Sequence, residues 1–249
     1  MKIAISQPTY LPWLGYFDLI DQVDRFVVLD SVQFEKQSWQ QRNRIKTPTG
    51  LQWLTVPVVF RGRLAQKIQE VEIREPGFSR SHLRAIELNY RRAPFFEKYF
   101  GDLKAILADE ASPRLADLNC RIIHWLMHCL GIGTPLVKSS EVHCEGKRSQ
   151  LLVNLCAALG ADSYLSPIGS AAYLLAELHL FEQGHIEVSF QHYEHPRYRQ
   201  QFGEFMPYAS VLDLLFNEGE RAGEIVRSGR RAPFPPAEVA MMAASMEKA

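Results

Sequence analysis

The chain has 249 residues, 47% of them hydrophobic and 22% charged, which is enough apolar material for a buried core and excludes a disordered chain. Lys and Arg together number 28, as do Asp and Glu, so the chain has no global field for nucleic acid or an anionic membrane, although a local basic site stays open. Cys120, Cys129, Cys144 and Cys156 form no CxxC pair or zinc-site spacing, residues 1–6 are too short for a signal peptide, and no stretch approaches the roughly 18 apolar residues of a membrane span, so the expectation is a cytoplasmic protein with no membrane span.

Residues 3–5 read as a buried strand, followed at once by the turn-rich Gln7-Pro8-Thr9-Tyr10-Leu11-Pro12. Residues 14–20 have a helical pattern, and residues 26–29 form a second apolar run that ends at Asp30. Strand, helix and strand in such close succession mark a βαβ unit with parallel strands. Ligands of parallel sheets bind outside the carboxyl ends of the strands, which puts residues 7–13 and 30–36 at the expected site edge. Residues 53–60 and 71–73 read as two further strands of a hairpin-like insertion, with Pro57 marking an edge or a bulge.

Helices are expected over 79–92, 95–108 and 113–130, the last with Leu115, Leu118, Ile122, Trp125, Leu126 and Cys129 at helical spacing. Next come a strand at 135–138, a helix over 150–159 closed by Gly160, and a short strand at 163–165. A turn over 166–170, a helix over 171–181, an alternating strand at 186–191 and a helix over 211–216 complete the pattern. The expected fold class is therefore α/β. It has a parallel-sheet core of nucleotidyltransferase-like or Rossmann-like type, a β-hairpin insertion and additional helices. One domain covers residues 1–228, and a Pro-containing extension over 229–249 wraps the surface or frays.

Four clusters carry the chemistry. In the first, Gln7, Tyr10, Trp13 and Tyr16 surround two prolines and Gly15, as in a small-molecule pocket with aromatic walls or a rigid turn whose rings fill the core. The second runs from Asp30 through Gln33, Lys36 and Trp39 to Arg42, Asn43 and Arg44; a carboxylate at a strand end followed by cations suits a phosphorylated ligand, or else a solvated loop. The third is the turn at Ser166, Gly169 and Ser170 with Tyr173 beyond, which offers backbone N–H groups to an anion or is an ordinary capped turn. In the fourth, Tyr198 and Gln201 belong to a loop expected to close over the same pocket as residues 7–13, while Ser210 and Asp213 read as the cap and first turn of the last helix.

Asp30, as a base or as the group that binds an amine, and Lys36 are the two catalytic candidates; Lys36, Arg42, Asn43 or Arg44 is a candidate for the oxyanion or a phosphate, and the other residues are candidates for substrate binding. His124 with His128, and His192 with His195, have spacings that can bind metal, but no third ligand accompanies either pair and no metal is assigned.

In order, QPTYLPWLGYFDLI, DSVQFEKQSWQQRNRIK, WLTVPV, SYLSPIGSAAYL and PRYRQQFGEFMPYASVLDLLFNEG resemble the WbqC-like family, over residues 1–219. The turn at residues 166–170 departs from the more glycine-rich form expected there. The resemblance implies a place in O-antigen or other surface-polysaccharide biosynthesis, with acyl or aminoacyl modification of an amino sugar as the reaction. The partners it implies are a small-molecule substrate, with a sugar nucleotide as one candidate, and an acyl carrier protein or thioester as candidate donor. The first block is also arranged like the first ATP-binding turn of nucleotidyltransferase-like folds, without their histidines. An ATP-dependent ligase and a non-catalytic ligand-binding protein therefore stay open as alternatives, and no cofactor is named.

Overall fold

Alternation along the first strand sets the architecture, because Ala4 turns into one hydrophobic cluster and Ile3 and Ile5 into the other. A sheet buried on both faces in this way needs helices on both sides. The computed structural model describes residues 1–63, 65–75, 77–109 and 112–246, so the last three residues of the expected extension lie outside the described residues.

The chain runs β1 (Lys2–Ser6), α1 (Leu14–Asp21), β2 (Arg25–Val28), β3 (Arg42–Thr47), β4 (Gly50–Thr55), α2 (Phe78–Tyr90), α3 (Phe96–Ala108) and α4 (Leu115–Cys129). It continues with β5 (Leu136–Lys138), α5 (Ser139–Val142), α6 (Ser149–Ala158), β6 (Ser163–Ser166), α7 (Ala171–Leu174), α8 (Leu178–Gln183) and β7 (Glu187–Phe190). Last are α9 (Val211–Glu218), α10 (Ala222–Ser228) and α11 (Pro236–Met246).

Five strands form one parallel sheet in the order β5-β2-β1-β6-β7. The chain winds outward from β1 to β2 and β5, then crosses back to β6 and β7, so the direction reverses between β1 and β6. Leu14, Phe17 and Ile20 of α1 pack with Ala4, Phe26, Val28 and Leu165 on one face. Leu151, Leu152 and Leu155 of α6 pack with Ile3, Ile5 and Val27 on the other.

The hairpin is present, but earlier in the chain than the apolar run at 53–60 suggests. β3 pairs antiparallel with β4, with Arg44 opposite Trp53. The turn between them is held by Thr47, whose hydroxyl donates to the Gly50 carbonyl at 2.8 Å, and Gly50 has φ +119, a conformation that favours glycine. Asn43, Ile45 and Thr47 are buried on β3, so the alternation of a strand is there beneath its charges. Pro57 interrupts the second run, and Val58 meets Ile73 only through an isolated bridge. The helix expected over 171–181 is divided into α7 and α8 by a short 3-10 turn.

Helix α1 is anchored from the C-terminal side. Asp18 is fully buried and accepts from Arg230 Nε at 2.8 Å, Gln191 Nε2 at 2.8 Å and Gln22 Nε2 at 2.6 Å. Burial raises its carboxyl above the ordinary range, against the pull of Arg230. Asp21 takes both Arg227 and Arg230, and Phe234 bridges to Phe190 at the end of β7. The segment after Gly229 is thus tied to α1 and to the sheet edge.

Candidate functional site

A crevice of about 430 Å³ opens where the strand order reverses, outside the carboxyl ends of β1 and β6. Its floor carries Ser6 and Thr9 from the β1 end and Pro167, Ile168 and Gly169 from the β6 end. This is the switch point at which open α/β sheets bind ligands. Helix α1 begins at the same place: its N-cap, Trp13, makes no side-chain cap bond, and Gly15 and Tyr16 of its first turn line the crevice. The positive end of the helix dipole suits an anion there.

The walls are aromatic and cationic. Trp13 packs against Tyr193, His195 and Tyr208 with ring centroids at 5.6, 6.2 and 5.6 Å. Opposite stand Trp39, Asn43 and Arg44. Asn43 is consumed by structure: its amide donates to the Leu11 carbonyl at 2.7 Å and accepts from Arg44 N at 2.8 Å. Arg44 donates to the Tyr208 carbonyl at 3.4 Å, while its Nε is buried without a partner, as is the Thr9 hydroxyl. Leu11 and Tyr208 both hold positive φ, +46 and +63, which side chains rarely adopt. Strained residues persist where surrounding bonds hold them, and they cluster at binding sites.

His195 lies behind Trp13 and Tyr208, also in ring contact with Tyr198 and Phe205. Its Nδ1 lies 2.9 Å from the Pro196 carbonyl, which fixes the proton there, and its Nε2 is buried without a partner. Burial lowers its pKa, so the ring is a neutral imidazole.

The loop that carries Tyr208 is fastened by a polar network. Asp213 accepts from Tyr90 Oη at 2.9 Å, Tyr198 Oη at 2.8 Å and Gln200 Nε2 at 2.7 Å. Lys46 Nζ donates to Gln200 Oε1 at 3.0 Å and to the Glu204 carbonyl. Lys46 and Asp213 are both buried, which holds the ammonium below its ordinary pKa and lifts the carboxyl above its own.

A second and larger cleft, about 1280 Å³, lies beyond the segment 36–44. Lys36, Arg61, Arg63, Arg74 and Arg114 line it over an apolar wall at residues 57–60. Lys36 Nζ stands 5.2 Å above the Phe60 ring.

Of the residues singled out from sequence, Trp13, Tyr16, Trp39, Asn43, Arg44 and Gly169 share the crevice, and Lys36 lines the other cleft. Gln7 accepts from Gln40 Nε2 at 2.8 Å, and Tyr16 donates to the Gln7 carbonyl. Tyr10 is fully buried, its hydroxyl 2.8 Å from His82 Nδ1. Gln33 bridges to Lys67, and Ser166 is buried and donates to the Pro167 carbonyl. Ser170 N closes the turn onto the Pro167 carbonyl, and Tyr173 packs on the α6 face of the sheet. Arg42 covers Trp53 on the hairpin.

His195 and Tyr208, on either side of residues 198–205, reach Trp13, and Val211 N donates to the Pro12 carbonyl, but no residue of 198–205 lines the crevice. Tyr198 faces Asp213, and neither it nor Gln201 lines the crevice. Thr9, Gln191 and Tyr208 line the crevice without having been singled out. Gln191 follows β7 as Gln7 follows β1, so the strand-end rule that selects one would have found the other.

Asp30 lines neither cavity. It is buried at the start of α5 and accepts from Ser139 Oγ at 3.0 Å, Ser140 N at 3.0 Å and Ser140 Oγ at 2.8 Å. Asp30→Asn is expected to lower stability by about 2–3 kcal/mol, because one oxygen that accepts becomes an amide that donates. Urea unfolding measures this; an unchanged midpoint together with lost ligand binding would return Asp30 to a direct role at the substrate.

An open parallel sheet of this order, with an aromatic crevice at its reversal, defines a doubly wound α/β protein with a small-molecule-sized site. The chain belongs to the WbqC-like protein family, whose profile matches residues 7–225. It is 40% identical over 231 residues to the uncharacterized protein Rv1507c of Mycobacterium tuberculosis (strain ATCC 25618 / H37Rv), an alignment that spans 92% of this chain and 99% of that protein. No solved structure matches the chain. Family membership suggests a role in polysaccharide biosynthesis. Among the described residues, no helix is long and apolar enough to cross a membrane.

Proposed function

We propose that the protein is a transferase of surface-polysaccharide (O-antigen) biosynthesis that joins an acyl or aminoacyl group to the nitrogen of an activated amino sugar. The observation that carries this reading is the crevice itself, with indole and phenol walls for a sugar and Arg44 and the start of α1 for its phosphates. In this reading the thioester donor occupies the cation-lined cleft on the other side of residues 36–44, where Lys36 and the arginines meet its anionic handle. The sugar amine attacks the thioester carbonyl, the C–N bond forms as the C–S bond breaks, and the thiol leaves with the proton the amine gives up.

Incubating the full-length protein with nucleotide-linked amino sugars and acyl thioesters, then following mass, tests it. The expected product is the amide, heavier than the sugar by the acyl group less one hydrogen, with one free thiol released. Amide formation only with ATP and a free acid, with release of AMP and pyrophosphate, would favour the second reading. That reading is an ATP-dependent ligase, and what supports it is the nucleotide-binding strand order.

A further inference from the structure

The hairpin β3–β4, with Trp39 just before it, presents to solvent a surface that folding alone does not explain. Trp39 and Trp53 are 47% and 42% exposed, with ring centroids 5.3 Å apart. Arg42 lies 4.3 Å over the Trp53 ring, and Arg44 sits 5.6 and 5.3 Å from Trp39 and Trp53. Register explains the grouping, since Arg44 and Trp53 are cross-strand partners and Arg42 is two residues from Arg44 on the same face. Among the described residues neither guanidinium has a carboxylate partner, although the chain has as many acids as bases. Exposed paired indoles beside two uncompensated guanidiniums mark a surface that waits for a flat, anionic ligand.

We infer that this face is the docking platform for the nucleoside diphosphate of the activated sugar, an inference that rests on the reading of the crevice given above. Trp39 and Arg44 belong to both the platform and the crevice, so a bound molecule passes from one to the other without leaving the protein surface. Arg44, at the junction, stands where the phosphates come, and its buried Nε lacks any partner in the protein. Guanidinium forks match phosphate oxygens, and indole faces accept a base whatever its hydrogen-bonding edge. Trp53 thereby becomes a specificity determinant for the nucleotide over the bare sugar phosphate.

The test is binding to the full-length protein by titration calorimetry, with UDP, GDP, dTDP, uridine and pyrophosphate as probes. Trp53→Ala is expected to weaken the best nucleoside diphosphate about tenfold and to leave pyrophosphate unchanged, and Trp53→Phe to restore most of the affinity. Arg42→Ala is expected to weaken both the nucleotide and pyrophosphate, with little effect on uridine. Circular dichroism and urea midpoints close to wild type show that the variants are folded, as half-exposed side chains allow. Wild-type protein that binds none of the diphosphates, or Trp53→Ala and Arg42→Ala that bind them normally, overturns the inference. So does a short single-stranded oligonucleotide that binds more tightly than any diphosphate and depends on Trp53.

Gly15→Ala separates this inference from the function proposed for the crevice, because its added Cβ would stand 2.3 Å from the Trp13 ring and displace it. If nucleotide-sugar binding falls in Gly15→Ala and not in the platform variants, the platform fails and the crevice stands. The reverse pattern overturns the crevice and keeps the platform.

Discussion

Acidification from pH 6.5 to pH 4 is expected to remove about 3 kcal/mol of folding stability through one imidazole. His82 of α2 is buried, hydrogen-bonded to Tyr10 at 2.8 Å and in edge contact with Phe78. Burial lowers its pKa from 6.5 to about 4. Above pH 6.5 the ring is neutral in both states and its contribution is fully present. Between 6.5 and 4 the unfolded chain takes up the proton and the folded chain does not, so stability falls as pH falls.

Buried Asp18 and Asp213, whose carboxyls are raised, act in the opposite sense: they protonate in the folded chain first and partly offset the loss. Urea midpoints of wild type and His82→Gln across this range isolate the imidazole. The variant is expected to start less stable and to show a flatter pH profile, and an equal slope would remove His82 from the account.

Asp213→Ala is expected to be among the most damaging single changes, at about 3–5 kcal/mol. It strands the hydroxyl hydrogens of Tyr90 and Tyr198 and takes one acceptor from the Gln200 amide, which keeps the Met206 carbonyl at 3.1 Å. The network joins β3, α2, α9 and the loop before α9, so its loss frees the loop that sets Tyr208 against Trp13. Two measurements check this: the urea midpoint, and limited proteolysis within residues 198–208, which should quicken in the variant. Asp213→Asn keeps one accepting oxygen and should recover part of the loss. A variant with a normal midpoint and an uncut loop would show that the network is dispensable.

The parallel core was legible because short apolar runs at 3–5 and 26–29 have few other ways to be buried, and a helix lay between them at the right distance. The hairpin begins earlier than the apolar run suggests for a physical reason. β3 reads RNRIKT, the composition of a solvated loop, and its buried face is made of Asn43, Ile45 and Thr47, only one of them apolar. Periodicity in hydrophobicity fails where the inward residues are polar and satisfied by neighbours. Asp30 illustrates a second limit. A carboxylate at a strand end has one appearance in sequence whether it faces substrate or receives Ser139 and Ser140 from residues more than a hundred positions away. Tyr10 is a third: the sequence put it in an aromatic turn, and only the fold supplies the His82 that takes its hydroxyl.

The pairing of Arg230 with Asp18 has a consequence for where the protein can be cut. A chain that stopped at residue 228 would keep every strand of the sheet, yet it would leave a buried carboxylate on α1 without its cation. The opposite end of that helix forms the rim of the crevice, so a nonsense mutation or protease nick just beyond α10 would be felt at the ligand, although no residue it removes lines the crevice.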